Sequence, residues 1–359
     1  MRTQIEENYQ YSPLNQPIPI AEQIWDDATL PLVSISSLVY NHKPYIATCL
    51  DHLLKQKTTF RVEIVIHDDA STDGTSEILN EYAAKYPRLI RLITQKENIY
   101  SVNIQKIEND IHACRRGKYI ANCEGDDFWH DPLKLEKQVQ FLEANPDYAG
   151  THTKVKYVDY SGQTVGYSNK VTPEHHTVTF ADLVTKSMIH SVSFVYRRNV
   201  LSIDGQLIWN LTSHYYDQYL FLVTALHGKI KYLDDVTSTY RINVGVFTTW
   251  NRQNKSLFTE ECITFFEKIV TDPAGKKACH LKLKQVYATL YCCYAKAKDD
   301  LATPYLKKYI KVRKTLRSEV TFVEYYRKVL HVEYDFIRGL FWQLAISVSQ
   351  GWFRPKGTT

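Results

Sequence analysis

From residue 32 to residue 123 the chain alternates short β-forming runs with stretches of helical periodicity. Residues 32–40, 62–69, 88–94 and 118–123 read as strands, because apolar and β-branched side chains run through them between turn residues. Residues 44–56 read as a helix with Ile46, Cys49, Leu50, Leu53 and Leu54 on one face. Residues 75–85 give a second, with Ile78, Leu79, Tyr82 and Ala83 inward, and residues 102–114 a third. Strands alternating with helices of this length demand right-handed crossovers and a largely parallel sheet.

Two of these strands end in paired carboxylates. Asp68 and Asp69 close the run VEIVIH and precede the turn-forming ASTDGT; Asp126 and Asp127 follow KYIANCEG and precede FWHDP. The carboxyl ends of parallel strands are where open α/β sheets bind ligands. Adjacent carboxylates repel unless a cation or a hydrogen-bond donor relieves them. A divalent metal gripping nucleotide phosphates suits that arrangement, since hard cations take oxygen from a carboxylate or two together with phosphate.

Downstream, Asp131 reads as the N-cap and Pro132 as the first turn of a helix over 133–143. Residues 149–160 and 191–196 read as strands, 180–186 as a short helix and 216–226 as an apolar helix. Residues 229–233 and 236–240 read as two further strands, and the pattern is helical from residue 256. His130 reads as an exposed loop residue. The expected organisation is an N-terminal arm over 1–30, with Pro13, Pro17 and Pro19, an α/β domain over 31–245, and a helical C-terminal extension over 246–359.

Charge is unevenly spread. Residues 281–359 carry 15 Lys/Arg against 6 Asp/Glu, whereas the whole chain has 44 against 39, so the preceding part is acidic. A basic excess fits anionic partners in general and selects none of them. Within the tail, Phe336, Ile337, Leu340, Phe341, Leu344, Ala345 and Val348 share one helical face, and Trp352, Phe353, Arg354 and Lys356 follow. Such a helix either packs on protein or makes peripheral contact with an anionic leaflet. The seven cysteines lack zinc-site spacing and read as buried, reduced thiols. The polar opening, and the lack of any run of ~18–20 apolar residues, lead to the expectation of a cytoplasmic protein, at most peripheral at the inner face of the membrane.

The segments VSISSLVYNH at 33–42, HDDASTDGT at 67–75 and EGDDFWHDPLKLEKQVQFLE at 124–143 together resemble the family 2 glycosyltransferases, in that family's order and spacing. A looser likeness continues through IHSVSF at 189–194, Tyr216 and Asp217, and the stretch ending at Tyr240 and Arg241. The resemblance implies a GT-A-like (Rossmann-like) fold, a mixed, mainly parallel sheet flanked by helices. It further implies an inverting enzyme that moves a sugar from a nucleotide-sugar donor, with UDP as the nucleotide, to a saccharide or lipid-linked acceptor in surface polysaccharide assembly.

Residue by residue, the resemblance implies that Tyr40 stacks on the base, that Asn41 lies at the donor, and that Asp69 accepts from the base while Asp68 fixes the loop. Asp73 reads as structural, at the start of the helix that follows. Asp127 would hold Mg2+ or Mn2+, with Asp126 at the ribose or a metal-bound water. Asp217 would be the catalytic base, a role compatible with capping its helix. Arg241 would pair either with the diphosphate or with a loop carboxylate, and His190 and Ser191 would line the acceptor side. Three departures stand out: Tyr216 before the base, Asn98, Ile99 and Tyr100 where the family has Gly at the third position, and Asn243 where it usually has His. The last leaves a third metal ligand open. Rival readings are a non-catalytic nucleotide-sugar or glycan-binding protein and a sugar-phosphate nucleotidyltransferase. The latter wants a glycine-rich phosphate loop that Tyr40 to Pro44 does not supply. No nucleic-acid reading motif accompanies the basic tail.

Overall fold

The computed structural model describes residues 12–168, 176–186, 189–212, 217–244, 251–297 and 299–319. The main strands are Val33–Val39 (β1), Val62–Asp68 (β2), Ile90–Thr94 (β3), Tyr119–Asn122 (β4), Phe128–Trp129 (β5), Tyr148–Val158 (β6), Val195–Arg197 (β7) and Lys229–Arg241 (β8). The helices are Ile46–Leu54 (α1), Thr75–Lys85 (α2), Ile104–Cys114 (α3), Lys134–Ala144 (α4), Phe180–Thr185 (α5) and Asp217–His227 (α6), followed by Arg252–Ile269 (α7), Pro273–Lys296 (α8) and Ala302–Glu319 (α9).

The order β3-β2-β1-β4 is parallel throughout. β2 is buried over its whole length and β1 over nearly all of it, as strands are when helices cover both faces of a parallel sheet. Antiparallel β7 joins β4 to β6, and β8 runs parallel to β6 beyond it. β5 then pairs antiparallel with the far end of β8, Phe128 opposite Thr239. The core around β1 takes in Ile46, Cys49, Leu50 and Leu53 of α1, Leu79 of α2, and Leu135, Val139 and Leu142 of α4. These are the faces that the 3.6-residue period selects.

Four local expectations give way. Residues 191–196 are not one strand: Ser191–Ser193 is a 3-10 turn, and pairing starts at Val195. Side chains claim the backbone there, since Val192 O accepts from Trp129 Nε1 (2.7 Å) and Ser238 Oγ (3.1 Å), and His190 O from Ser193 Oγ (2.8 Å). Residues 229–240 form one strand rather than two, because a register shift between Leu233 and Val236 absorbs the polar interruption. α4 begins at Lys134 with Leu133 at its N-cap; Asp131 acts from outside, accepting from Leu133 N (2.9 Å) and Lys137 Nζ (2.9 Å). His130 is half-buried, its Nδ1 2.9 Å from Thr239 Oγ1 and its Nε2 2.8 Å from Val236 O, so it fastens β5 to β8.

The chain divides into two compact units, residues 1–183 with 187–249, and residues 250–359 with 184–186. In the second, α8 packs on both α7 and α9. Asp272 caps α8 by accepting from Gly275 N (2.7 Å), with Pro273 in the first turn. Tyr294 stacks on Tyr305 with ring centroids 5.4 Å apart. All seven cysteines are free. No described helix is long and apolar enough to cross a membrane. The first eleven residues, Tyr216, the tail helix expected over 336–348 and the residues that follow it lie outside the described residues.

Candidate functional site

In the parallel ladder Val39 lies opposite Asp68 and Ser36 opposite Asn122, so Tyr40, Asp69 and residues 123–127 leave the sheet along one edge. Hydrogen bonds from Asp69 N to Val39 O (3.0 Å) and from Gly125 N to Leu38 O (3.3 Å) hold the three exits together. Gly125 is required by this closeness: a Cβ there would stand 2.8 Å from His42 Nδ1 and 3.0 Å from Val39 Cγ2. Asn41 (φ 54°), Ala70 (φ 62°) and Asn243 (φ 63°) take left-handed conformations at the ends of β1, β2 and β8. Backbone strain of this kind gathers where a surrounding site over-determines it.

Protein donors already serve the first acidic pair. Asp68 accepts from Ser71 N (3.1 Å) and from the Ser76 hydroxyl. Asp69 accepts from Ile99 N (3.0 Å) and Tyr100 N (2.9 Å), clamping the loop that lacks the family's glycine. Asn41 joins the same loop system, its N donating to Ser71 Oγ (2.9 Å) and its Oδ1 accepting from Thr72 N (2.8 Å). Asp73 accepts from Thr75 N (3.0 Å) at the start of α2 and from Lys43 N (3.0 Å). Tyr40 is 43% exposed at the rim, so its ring is outside the core.

The second pair is provisioned differently. Asp127 is buried, and its one donor among the described residues is the backbone N–H of Arg241, 2.8 Å from Oδ1. The Arg241 guanidinium meets no carboxylate among the described residues. It donates to the carbonyls of Asp126 (3.1 Å) and Asp159 (3.3 Å) and lies 4.3 Å from the Tyr45 ring centroid. Burial, then Asp126 and Glu124, push the Asp127 carboxyl well above its ordinary range. Burial, then Asp217 and Asp126, push Glu124 up to about 8.

Ser191 Oγ donates to Glu124 Oε1 (2.9 Å), and Ser191 also acts on the carboxyl of Asp217, the first residue of α6. Asp217 is an exposed residue; desolvation raises its carboxyl, while Ser191 draws it back down. The Tyr240 hydroxyl is pushed up by burial and then by Asp127, Asp126, Glu124 and Asp217, so all four carboxylates are near enough to act on this phenol electrostatically. His190 stacks on Tyr240 (5.4 Å) and its Nε2 lies 2.8 Å from Tyr157 OH. The edge thus brings Tyr40, Asn41, Asp69, Asp126, Asp127, His190, Ser191, Asp217 and Arg241 to one end of the sheet.

Sequence reasoning passed over Glu124 and Tyr240. Glu124 was findable, since it precedes Asp126 by two residues as the chain leaves an apolar strand. Tyr240 carried no such signal.

Hard oxygen donors without a matching cation suit Mg2+ or Mn2+, and Glu124 Oε2 is buried with no partner. Among the described residues no set of three His, Cys, Asp or Glu is gathered as metal ligands. A cation here would therefore draw further oxygens from substrate and water.

Residues 34–203 match the model of a family described as Glycosyl transferase family 2. The Mycobacterium tuberculosis protein Rv1520 is 36% identical over 218 residues, covering 58% of this chain and 58% of that protein. The match thus spans little more than half the length of this relative. Chondroitin synthase of Escherichia coli is 34% identical over 148 residues, covering 40% of this chain and 21% of the synthase. Mannosyltransferase PcManGT from Pyrobaculum calidifontis, in complex with GDP-Man and Mn2+, shares the fold with a TM-score of 0.51 at 16% identity, over 90% of this chain and 91% of that one.

Proposed function

Residues 34–203 are a glycosyl transferase family 2 domain in a GT-A-like fold, and from that premise we propose an inverting transfer of sugar from a nucleotide-sugar to a saccharide acceptor. The observation that carries it is the buried pair Asp126 and Asp127 beside Glu124, whose Oε2 has no partner, with no cationic side chain paired to them among the described residues. A structural cluster would carry its own counter-charges. This one is built to receive a cationic or polar ligand.

The donor of this reading is a UDP-sugar. Its base lies against Tyr40, which offers a rigid π face at the rim. Asp69 takes the base N–H on lone pairs left by the Ile99 and Tyr100 amides. Asn41 holds the Ser71–Thr72 turn beneath the nucleotide. A divalent cation, Mg2+ or Mn2+, would be held by Asp127 and Asp126 and would neutralise charge on the diphosphate. Arg241 fixes Asp127 through its amide and keeps its guanidinium beside the same loop.

Asp217 removes the proton from the acceptor hydroxyl as that oxygen attacks the anomeric carbon from the side opposite the leaving diphosphate. Its openness to solvent lets an acceptor reach it, and Ser191 orients the carboxylate. His190, stacked on Tyr240, stands on the acceptor side. The relative chondroitin synthase makes a polysaccharide, which supports a growing surface saccharide, free or lipid-linked, as the acceptor. The test is a thermal-shift screen of nucleotide-sugars with and without Mn2+, followed by NMR of the product's anomeric configuration. Stabilisation by a UDP-sugar only with Mn2+, and an inverted linkage, is the expected result. No shift with any nucleotide-sugar sinks the reading.

A further inference from the structure

A cluster of basic side chains lies on the α7–α8 pair. A groove of about 390 Å³ is lined by Arg252, Lys255, Ser256 and Thr259 of α7 and by Lys282, Gln285, Val286 and Thr289 of α8. Within each helix these are positions i, i+3, i+4 and i+7, which share one face. Where two helices meet, that pattern is ordinarily apolar. Here Val286 is the one aliphatic residue, three positions are cationic, and none is acidic.

Two of the three charges are not balanced among the described residues. Neither the Arg252 nor the Lys282 side chain forms an ion pair or hydrogen bond among the described residues. Lys282 is partly desolvated with no compensating acid, which draws its ammonium below the ordinary lysine range. The nearby acid Glu260 is turned to α9, where it accepts from Lys308 Nζ (2.6 Å) and Tyr305 OH (3.0 Å). The groove hydroxyls spend their protons on helix carbonyls, Ser256 on Arg252 O, Thr259 on Lys255 O and Thr289 on Gln285 O. The donors that remain are those of Arg252 and Lys282 and the Gln285 amide. That set recognises oxyanions.

We propose that the α7–α8 groove binds the phosphate or carboxylate groups of an anionic saccharide chain, as a second site for the acceptor. This deepens the transferase reading and rests on it for the word acceptor. The binding itself is separable, because it needs neither donor nor turnover.

The experiment uses the full-length protein and measures binding of polygalacturonate (carboxylate) and phosphomannan (phosphate), with dextran as the neutral control. Expected are binding to at least one anionic polymer, none to dextran, and a weakening as salt rises. The Arg252→Gln/Lys282→Gln variant should lose about tenfold in affinity. Lys307→Gln, an exposed lysine of α9 outside the groove, should bind as the parent does. Donor binding, measured by thermal shift with a nucleotide-sugar and Mn2+, should be unchanged in both variants. Which polymer binds tells carboxylate from phosphate recognition. Unaltered affinity in the double variant, equal binding to dextran, or binding to phosphatidylglycerol vesicles in place of the soluble polymers overturns the proposal. Failure of donor binding in the parent protein strikes the transferase reading instead.

Discussion

Asp68 and Asp69, and Asp126 and Asp127, start alike. Each pair stands where a buried parallel strand leaves the sheet, and the two exits lie on either side of Tyr40. Yet the first pair already has donors in Ser71, Ser76, Ile99 and Tyr100, whereas Asp127 has one backbone donor and Glu124 keeps a buried oxygen unpartnered. An unpaired buried carboxylate is costly, and proteins retain one where a ligand relieves it. The first pair is held in place by its loops; the second has its oxygens left over for a ligand.

That contrast can be broken by substitution. Asp127→Asn should have the largest effect, a loss of kcat/KM of about 10³-fold or more together with loss of Mn2+-dependent donor binding, read by steady-state kinetics and thermal shift. Asp217→Asn should lower kcat by about 10²–10⁴-fold while donor affinity stays near the parent value. Equal damage to donor affinity in these two variants would remove the division between cation site and base.

Asp69→Ala should act on the loop and the base instead. The expected outcome is an about tenfold rise in donor KM with kcat largely kept, and a stability loss of about 1–3 kcal/mol in urea unfolding. If it cost as much kcat as Asp127→Asn, the two pairs would not differ in the way their hydrogen bonds indicate.

The smallest effect concerns a buried lysine on α4. Lys134 lies 4.2 Å from the Trp129 ring centroid, its Nζ has no hydrogen-bond partner, and burial pulls it down to about 7. Unfolded, it titrates near 10.5, so between those values the unfolded chain holds more protons and stability rises with pH. Lys134→Met should remove that rise and stabilise the protein near neutral pH by about 1–3 kcal/mol, measured by unfolding across pH 6 to 10. Unchanged Mn2+-dependent donor binding in this variant would show that Lys134 does not serve the carboxylates.

Much of this was legible beforehand, and the exceptions share a cause. α2 spans 75–85 as its periodicity implies, and the inward face of α1 is the one read from spacing. The 3-10 turn at Ser191–Ser193 was hidden because Trp129 and Ser238, distant in sequence, take the Val192 carbonyl. His130 looked exposed because its partners Thr239 and Val236 arrive on β8. Glu124 was overlooked because its neighbours Ser191 and Asp217 come from separate elements.

The amino-acid order alone settled the βαβ alternation, the strand ends that bear carboxylates and the helical character of the C-terminal region, because periodicity and turn chemistry act between residues a few positions apart. Which carboxylates are neutralised and which are left in want was decided only when the chain closed on itself. Asp69 meets its amide donor 30 residues along, and Asp127 meets its own 114 residues along. No local pattern encodes a partner at that separation.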